Sequence, residues 1–167
     1  MEFPNRKTIR LPDYDYSTPG YYFITICTKN KKQYLSKIDV GTGLTDVPEN
    51  KLKEYGKFAD NQIQVMDAFY DNISVDKYCI MPNHIHILLQ ILQPECGPSG
   101  RPVPTNSVVS KFVGTFKRFC NRHYGENIWQ SRSFDHIIRG EEDYLNVWSY
   151  IDNNAAKWTQ DCFYMKD

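Results

Sequence analysis

Long apolar runs are absent from the 167-residue sequence. No segment approaches the ~18–20 consecutive apolar residues that a membrane-spanning helix requires. The opening stretch MEFPNRKTIRLPDYDY is charged and has no apolar core, so we expect no secretory signal peptide. These two absences predict a cytoplasmic protein without a membrane partner. The length predicts a single domain that spans residues 1–167.

Cysteine is sparse and wrongly spaced for a zinc knuckle or a disulfide framework. No CxxC pair occurs, and the total of five is odd. Scattered thiols are typical of proteins in the reducing cytoplasm. Hydrophobic residues make up 41% of the chain and aromatic residues 14%, which argues against disorder. The five cysteines are Cys27, Cys79, Cys96, Cys120 and Cys162.

Net charge is also absent, because 20 basic residues balance 20 acidic ones. Neutrality of the whole chain argues against nucleic acid as a partner. The charge is unevenly distributed, however: residues 101–140 carry seven Lys and Arg but only two acids, a local excess of +5. A basic segment can bind phosphates even in a neutral protein. The alternative interpretation of this segment is an ordinary solvated helix face.

Hydrophobic periodicity predicts strands and helices in a recognisable order. Two strands separated only by Pro82-Asn83 predict a hairpin, and three segments show the spacing of amphipathic helices. The order contains a β-α-β-β-α-β core, which predicts an α+β, ferredoxin-like antiparallel sheet with helices packed on one face. The predicted elements are a strand at 20–30, a hairpin at 33–47, a helix at 50–70, strands at 73–82 and 84–92, a loop at 93–106, a helix at 105–124, a strand at 128–139 and a helix at 140–158.

Two histidines lie two residues apart in the apolar strand MPNHIHILL. Side chains alternate along a strand, so His84 and His86 project from the same face. A pair of adjacent imidazoles can ligate a metal ion, although two ligands do not complete a site. The alternative is a pair of half-exposed histidines that only form hydrogen bonds.

The last predicted helix presents a tyrosine and an asparagine away from its apolar stripe. Asn154 follows Tyr150 by four residues, so both lie on one helix face. Tyr150 is a candidate nucleophile, and Asn154 can offer a carbonyl oxygen to a metal ion. An exposed surface tyrosine and asparagine are the alternative. The stripe itself consists of Tyr144, Trp148, Ile151, Ala155 and Trp158.

Three segments together resemble the single-tyrosine HUH transposases, and most of all their REP-associated tyrosine transposase branch. They are RLPDYDYSTPGYYFITICTKN, YCIMPNHIHILL and IWQSRSFDHIIRGEEDYLNVWSYIDNNAAKW, and the resemblance extends over nearly the whole chain. It implies that His84, His86 and Asn154 bind a divalent metal, Mg²⁺ or Mn²⁺, and that Tyr150 is the nucleophile. One departure is Ala155, where relatives usually have proline, and alanine should leave the helix register unchanged.

The resemblance also implies a function. We expect cleavage and rejoining of single-stranded DNA, with a hairpin in the substrate, through a 5′-phosphotyrosine intermediate. It favours a monomer over a homodimer. Basic side chains beside aromatic ones suit single-stranded DNA. The predicted DNA contacts are Arg6, Lys7 and Arg10 on an N-terminal arm, with Lys111, Lys117, Arg118, Arg122 and Arg132, whereas Phe116 and Phe119 are assigned to the core.

Three alternatives remain at this stage: a domesticated HUH-fold protein, a different HUH nuclease (a relaxase or a replication initiator) and an unrelated metal hydrolase. A domesticated HUH-fold protein would bind hairpin DNA without transposing it, but the four candidate site residues are all present. A relaxase would place the tyrosine before the histidines, whereas Tyr150 follows His86 by 64 residues. A replication initiator shares the order seen here. An unrelated metal hydrolase would require more carboxylates near the histidines.

Overall fold

The computed structural model describes residues 14–39, 48–92 and 107–164. These ranges contain six strands and three α-helices, together with short 3-10 turns at Lys29–Lys31 and Trp158–Gln160. The elements are β1 (Gly20–Cys27), β2 (Ser36–Asp39), β3 (Glu49–Leu52), α1 (Glu54–Phe69), β4 (Ile73–Ile80), β5 (His84–Ile91), α2 (Val108–Tyr124), β6 (Phe134–Ile137) and α3 (Glu141–Asn153).

The main sheet has the strand order β4-β5-β1-β6, and every neighbouring pair is antiparallel. With α1 and α2 as the connections, this is the predicted β-α-β-β-α-β arrangement, so the fold class is confirmed. β4 and β5 form the predicted hairpin. β2 and β3 pair as a separate two-stranded ribbon, and the turn of the hairpin predicted at 33–47 lies outside the described residues.

The two faces of the sheet are covered by different helices. Ile24, Ile85 and Ile87 point to one face, where they pack with residues of α1 and α2. Phe23 and Leu88 point to the other face and pack against α3. The expectation that the helices pack on one face therefore holds for α1 and α2 but not for α3. β1 and β5 are buried on both sides, which explains why their sequences read as continuous apolar runs.

Tertiary pairing moves the boundaries of α1 and α2. α1 begins at Glu54 and not near residue 50, because residues 49–52 hydrogen-bond with β2. α2 begins at Val108, and the Ser107 hydroxyl accepts a hydrogen bond from the amide of Ser110, as expected for a capping serine. Phe119 is 41% exposed and not part of the core, and Cys120 is buried in its place.

α3 is shorter than predicted, and its packed face includes more residues than the predicted stripe. It ends at Asn153, after which the chain turns through residues 154–157 into the 3-10 turn at Trp158–Gln160. Its buried residues are Val147 and Ile151, while Tyr144 and Trp148 are only half-buried. The predicted stripe residues Tyr144, Trp148 and Ile151 pack on this face, together with Val147, which the prediction omitted. Tyr150 and Asn154 lie at the side of the helix that meets the sheet.

Strand β4 contains a β-bulge that its alternating sequence does not reveal. Val75 pairs with Leu89 and Lys77 with Leu88, so Asp76 is an extra residue. Val75 faces α1, whereas Lys77 and Cys79 face α3. Strict alternation along the strand would place Val75, Lys77 and Cys79 on one face, and the bulge separates Val75 from the other two. The amide of Val75, beside the bulge, donates to Asp67 Oδ1 of α1 at 2.6 Å. No helix in the described ranges is long and apolar enough to cross a membrane.

Gly56 in α1 allows the helix to approach the β2 segment closely. A Cβ added at Gly56 would lie 2.0 Å from the carbonyl oxygen of Leu35, a backbone atom that cannot rotate away. We predict that Gly56→Ala lowers the free energy of unfolding by roughly 2–3 kcal/mol, because over-packing forces the backbone to shift. Urea denaturation of the two proteins measures the difference.

Gly114→Ala is the matched control within a helix. A Cβ there meets nothing within 4 Å, so the substitution should stabilise α2 by up to about 1 kcal/mol through helix propensity. Equal effects of the two alanines on stability would contradict the close approach at Gly56.

Candidate metal and nucleophile site

His84 and His86 lie side by side on the face of β5 that α3 covers. The predicted shared face on a central strand is confirmed, and both rings are buried, at 0% and 1% exposure. Their Nε2 atoms are 2.9 Å apart. The alternative of two half-exposed histidines is thereby excluded. The two Nε2 atoms, one from each ring, therefore converge on the α3 side of the sheet.

The tautomer of His84 follows from the hydrogen bonds of Asn83. The Asn83 Nδ2 donates to the carbonyl oxygens of Phe163 at 2.8 Å and Lys31 at 3.2 Å. The Asn83 Oδ1 is therefore an acceptor, and it lies 2.9 Å from His84 Nδ1. His84 must carry its proton on Nδ1. Its Nε2 then presents a lone pair, which is the form that ligates metals.

His86 is oriented by a neighbouring strand. Its Nδ1 lies 2.9 Å from Thr25 Oγ1 of β1. Because the Nε2 of His84 has no proton, the short contact between the two Nε2 atoms requires either a proton on His86 Nε2 or a cation between them. Burial lowers the pKa of His86 to about 3 and that of His84 well below its usual value, so both rings are neutral at pH 7. A neutral pair with converging lone pairs fits a metal ion.

Tyr150 lies next to this pair. Its hydroxyl is 3.5 Å from His86 Nε2 and 3.4 Å from Asp161 Oδ2. The ring packs edge-on against His86 and Phe23, at centroid distances of 5.2 and 5.9 Å. Burial, and secondly the charge of Asp161, raise the pKa of Tyr150 above its usual value. The phenol is therefore protonated at neutral pH and needs an acceptor before it can attack.

Asn154 is buried beside Tyr150, at 3% exposure. Its Nδ2 donates to Asp161 Oδ2 at 3.2 Å. Its Oδ1 is buried and has no hydrogen-bond partner among the described residues. An orphaned carbonyl oxygen is costly unless something absent from the protein chain binds it. This oxygen supports the predicted role of Asn154 as a metal ligand.

Asp161 is the site residue that sequence reasoning missed. It follows the 3-10 turn, and its side chain is only 2% exposed. One carboxylate oxygen lies 3.9 Å from His84 Nε2, and His84, His86 and Asp161 form a group able to hold a metal ion. The prediction of a helix through residue 158 placed Asp161 beyond the site. Because α3 ends at Asn153 and the chain then turns, Asp161 lies next to His84.

The predicted DNA contacts are not gathered at this site. Lys111, Arg118 and Arg122 are exposed on α2, on the opposite side of the sheet, and their spacing places them on one helix face. Arg132 is exposed on the segment before β6. Arg6, Lys7 and Arg10 lie outside the described residues.

Lys117 differs from its neighbours on α2. Its ammonium donates to the carbonyl oxygens of Gln130, Ser131 and Arg132 at 2.8, 3.4 and 3.3 Å. Burial lowers the pKa of Lys117 to about 8. The side chain thus fastens the segment that enters β6. This internal role leaves it poorly placed to hold a phosphate.

Comparison with known proteins places the chain among transposase relatives. No protein-family model matches the sequence. An uncharacterized protein of Haemophilus influenzae is 30% identical over 176 residues, which cover 96% of this chain and 94% of the relative. A putative REP-associated tyrosine transposase of the same organism is 26% identical over 152 residues, with 86% of this chain and 74% of the relative covered.

The fold comparison agrees. A solved REP-associated tyrosine transposase bound to a REP hairpin superimposes with a TM-score of 0.59 at 21% identity, covering 95% of this chain and 74% of the other. The segments that carry the sequence resemblance include β5, with His84 and His86, and α3, with Tyr150. In sequence and in fold, the chain is thus similar to REP-associated tyrosine transposases.

Proposed function

We propose that this protein cleaves and rejoins single-stranded DNA through a covalent 5′-phosphotyrosine at Tyr150. One observation carries the proposal: the Tyr150 hydroxyl lies 3.5 Å from the Nε2 of His86, which itself converges with the Nε2 of His84. A nucleophile beside two neutral imidazoles is the arrangement that a metal-assisted attack on a phosphodiester requires. Similarity to a REP-associated tyrosine transposase supports the same chemistry.

A divalent metal would be held by the Nε2 atoms of His84 and His86 and by the Asn154 Oδ1. When bound, the cation would act as a Lewis acid on the scissile phosphate. The donor set fits, because both imidazoles are neutral and can each present an unprotonated Nε2 to a cation, and the Asn154 oxygen lacks any other partner among the described residues. Two imidazoles suit Mn²⁺ better than Mg²⁺, which prefers all-oxygen sites.

The chain's own groups would manage the proton. The Tyr150 hydroxyl donates toward Asp161 Oδ2, so the carboxylate is the acceptor within reach. The phenol oxygen then forms a bond to phosphorus, the bond from phosphorus to the 3′ oxygen breaks, and the departing oxygen takes up a proton as a 3′-OH. The phosphodiester energy stays in the phosphotyrosine link. Attack by a 3′-OH can therefore reverse the step without a nucleotide cofactor.

A part of the DNA outside the cleaved strand would bind a basic surface on α2, on the opposite side of the sheet from the site. Lys111, Arg118 and Arg122 are exposed, and Phe119, which is 41% exposed, lies beside the Arg118 guanidinium at 5.8 Å from carbon to ring centroid. Cations that hold phosphates and a ring that can stack on a base together suit a hairpin with unpaired nucleotides. Every group assigned to the reaction belongs to one chain, which supports a monomer as the active unit.

Tyr150→Phe should abolish the covalent adduct while keeping the fold. The substitution removes only the hydroxyl, whose contacts are long, so stability should change by less than the ~1 kcal/mol typical of point mutants. The assay is denaturing electrophoresis after incubation with Mn²⁺ and labelled single-stranded hairpin oligonucleotides from the flanks of the gene. Tyr164→Phe, which removes an exposed hydroxyl nearby, should keep the adduct. A slow-migrating species in the Tyr150→Phe protein would refute the assignment.

Replacing His84 and His86 together by alanine should abolish Mn²⁺ binding and cleavage, because both nitrogen ligands disappear. Titration calorimetry of the metal-free protein measures binding, and far-UV circular dichroism checks the fold. His123→Ala, which removes an exposed ring stacked on Phe58, should leave Mn²⁺ binding unchanged. Undiminished binding in the double variant, or cleavage by the wild type in excess EDTA, would exclude the metal site.

Arg118→Gln combined with Arg122→Gln should weaken hairpin binding and reduce its salt dependence. Loss of two phosphate contacts lowers the slope of log K against log salt by roughly 1.4 to 1.8. Fluorescence anisotropy with a labelled hairpin oligonucleotide between 50 and about 200 mM salt gives both quantities. Lys57→Gln removes an exposed cation of α1 and serves as the control. An unchanged slope would remove this face of α2 from the DNA path.

A further inference from the structure

The helix that carries Tyr150 has a small apolar attachment to the sheet. Only Val147 and Ile151 of α3 are buried, where they meet Phe23 and Leu88. By contrast, α1 and α2 share a large core on the other face. The other rings of α3 that contact the cluster around Phe23 and Leu88, those of Tyr144, Trp148 and Tyr150, are only partly buried, so apolar packing alone defines the position of the helix loosely. Its position must be set by further contacts.

Those contacts come from two adjacent residues of the edge strand β4. The Tyr144 hydroxyl donates to Asp76 Oδ2 at 2.9 Å, and the Lys77 ammonium lies 2.5 Å from Asp152 Oδ1. The same ammonium lies 4.1 Å from the centroid of the Trp148 ring, within the range of a cation–π interaction. Asp76 and Lys77 thus hold α3 on both sides of Tyr150.

The β-bulge explains how two consecutive residues reach one helix. In a regular strand Asp76 and Lys77 would project from opposite faces, and Lys77 would share the α1 face with Val75. The extra residue at position 76 resets the alternation, so that Lys77 pairs with Leu88 on the α3 side. Bulges are frequent next to active sites, where they redirect a side chain.

We propose that the bulged pair Asp76 and Lys77 are positioning residues that fix the register of α3, and thereby of Tyr150, against the histidine pair. The inference rests on the proposed function for its consequence in catalysis. Tyr144 lies six residues before the nucleophile and Asp152 two residues after it, about 9 Å and 3 Å along the helix axis. Contacts at two such points restrain both translation and rotation of the helix.

Breaking the Lys77–Asp152 ion pair should change the reaction rate much more than the free energy of unfolding. The Lys77 side chain is 20% exposed and that of Asp152 is 54% exposed, and ion pairs with exposed partners add little to the free energy of unfolding. A displacement of about 1 Å at a reacting group, however, can reduce a rate by about a hundredfold. A large effect on rate with little effect on folding would therefore identify positioning.

The main test is the single-turnover rate of adduct formation in Mn²⁺ with a labelled hairpin oligonucleotide. Lys77→Met keeps the aliphatic stem and removes the charge, and we expect the rate to fall about ten- to a hundredfold. The dissociation constant for the oligonucleotide and the thermal midpoint should stay at wild-type values. Exchanging the charges, Lys77→Asp with Asp152→Lys, should recover most of the rate. Lys57→Met, which breaks the exposed Glu54–Lys57 pair on α1, should leave the rate unchanged.

A second measurement needs no DNA. Hydrogen exchange of the α3 amides should accelerate severalfold in Lys77→Met, while exchange in α1 and α2 stays constant. Failure of the wild-type protein to form an adduct would overturn the proposed function but not this inference, which the exchange data would still decide. Unchanged α3 exchange, an unchanged rate, or failure of the charge exchange to recover the rate would overturn the positioning role.

Discussion

The pairing of two neutral imidazoles inside a strand buried on both faces is the constraint on which the rest of this structure depends. His84 and His86 have no access to water, so every polar atom they carry needs a partner from the chain or from a bound ion. Asn83 and Thr25 satisfy the Nδ1 atoms. The remaining Nε2 atoms face each other, which is a favourable arrangement only when a proton or a cation lies between them.

Cover for these rings must come from the side of the sheet that a ferredoxin-like fold leaves free. α1 and α2 fill one face with a conventional apolar core. α3 and the segment that follows it close the other face, and they bring a phenol, a carboxamide and a carboxylate to within hydrogen-bonding range of one another. The face covered by α1 and α2 thus holds the main apolar core, and the face covered by α3 holds the candidate site. Gly56 belongs to the first face and Lys77 to the second.

The sequence predicts the parts of this arrangement that depend on local pattern. The strand that carries the histidines, their shared face, the order of elements and the fold class all follow from periodicity and turn residues. The family resemblance added roles for Tyr150 and Asn154, and the structure places both beside the histidines. The choice among nucleophiles needed that resemblance, because α3 contains several aromatic residues on overlapping faces.

Other features depend on tertiary contacts and could not be read from the pattern. Asp76 looks like an ordinary strand residue, and only pairing with β5 shows that it is extra. Phe119 has the spacing of a core residue, yet Cys120 occupies the buried place. α3 ends after Asn153 although alanines follow, so that Asp161 returns to the histidines. In each case the local pattern of the sequence gives no sign of the difference, which appears only in the folded structure.

Asn83 gives the site a dependence on the order of synthesis. Its amide group binds the carbonyl oxygens of Lys31 and Phe163, which are 52 and 80 residues away along the chain. A nascent chain that has emerged only as far as α2 already contains both histidines, but it lacks the later carbonyl that fixes Asn83, and it lacks Tyr150, Asn154 and Asp161. A site assembled from such distant segments is incomplete while the chain is still being synthesised. It becomes complete only when the folded chain has closed around the histidines.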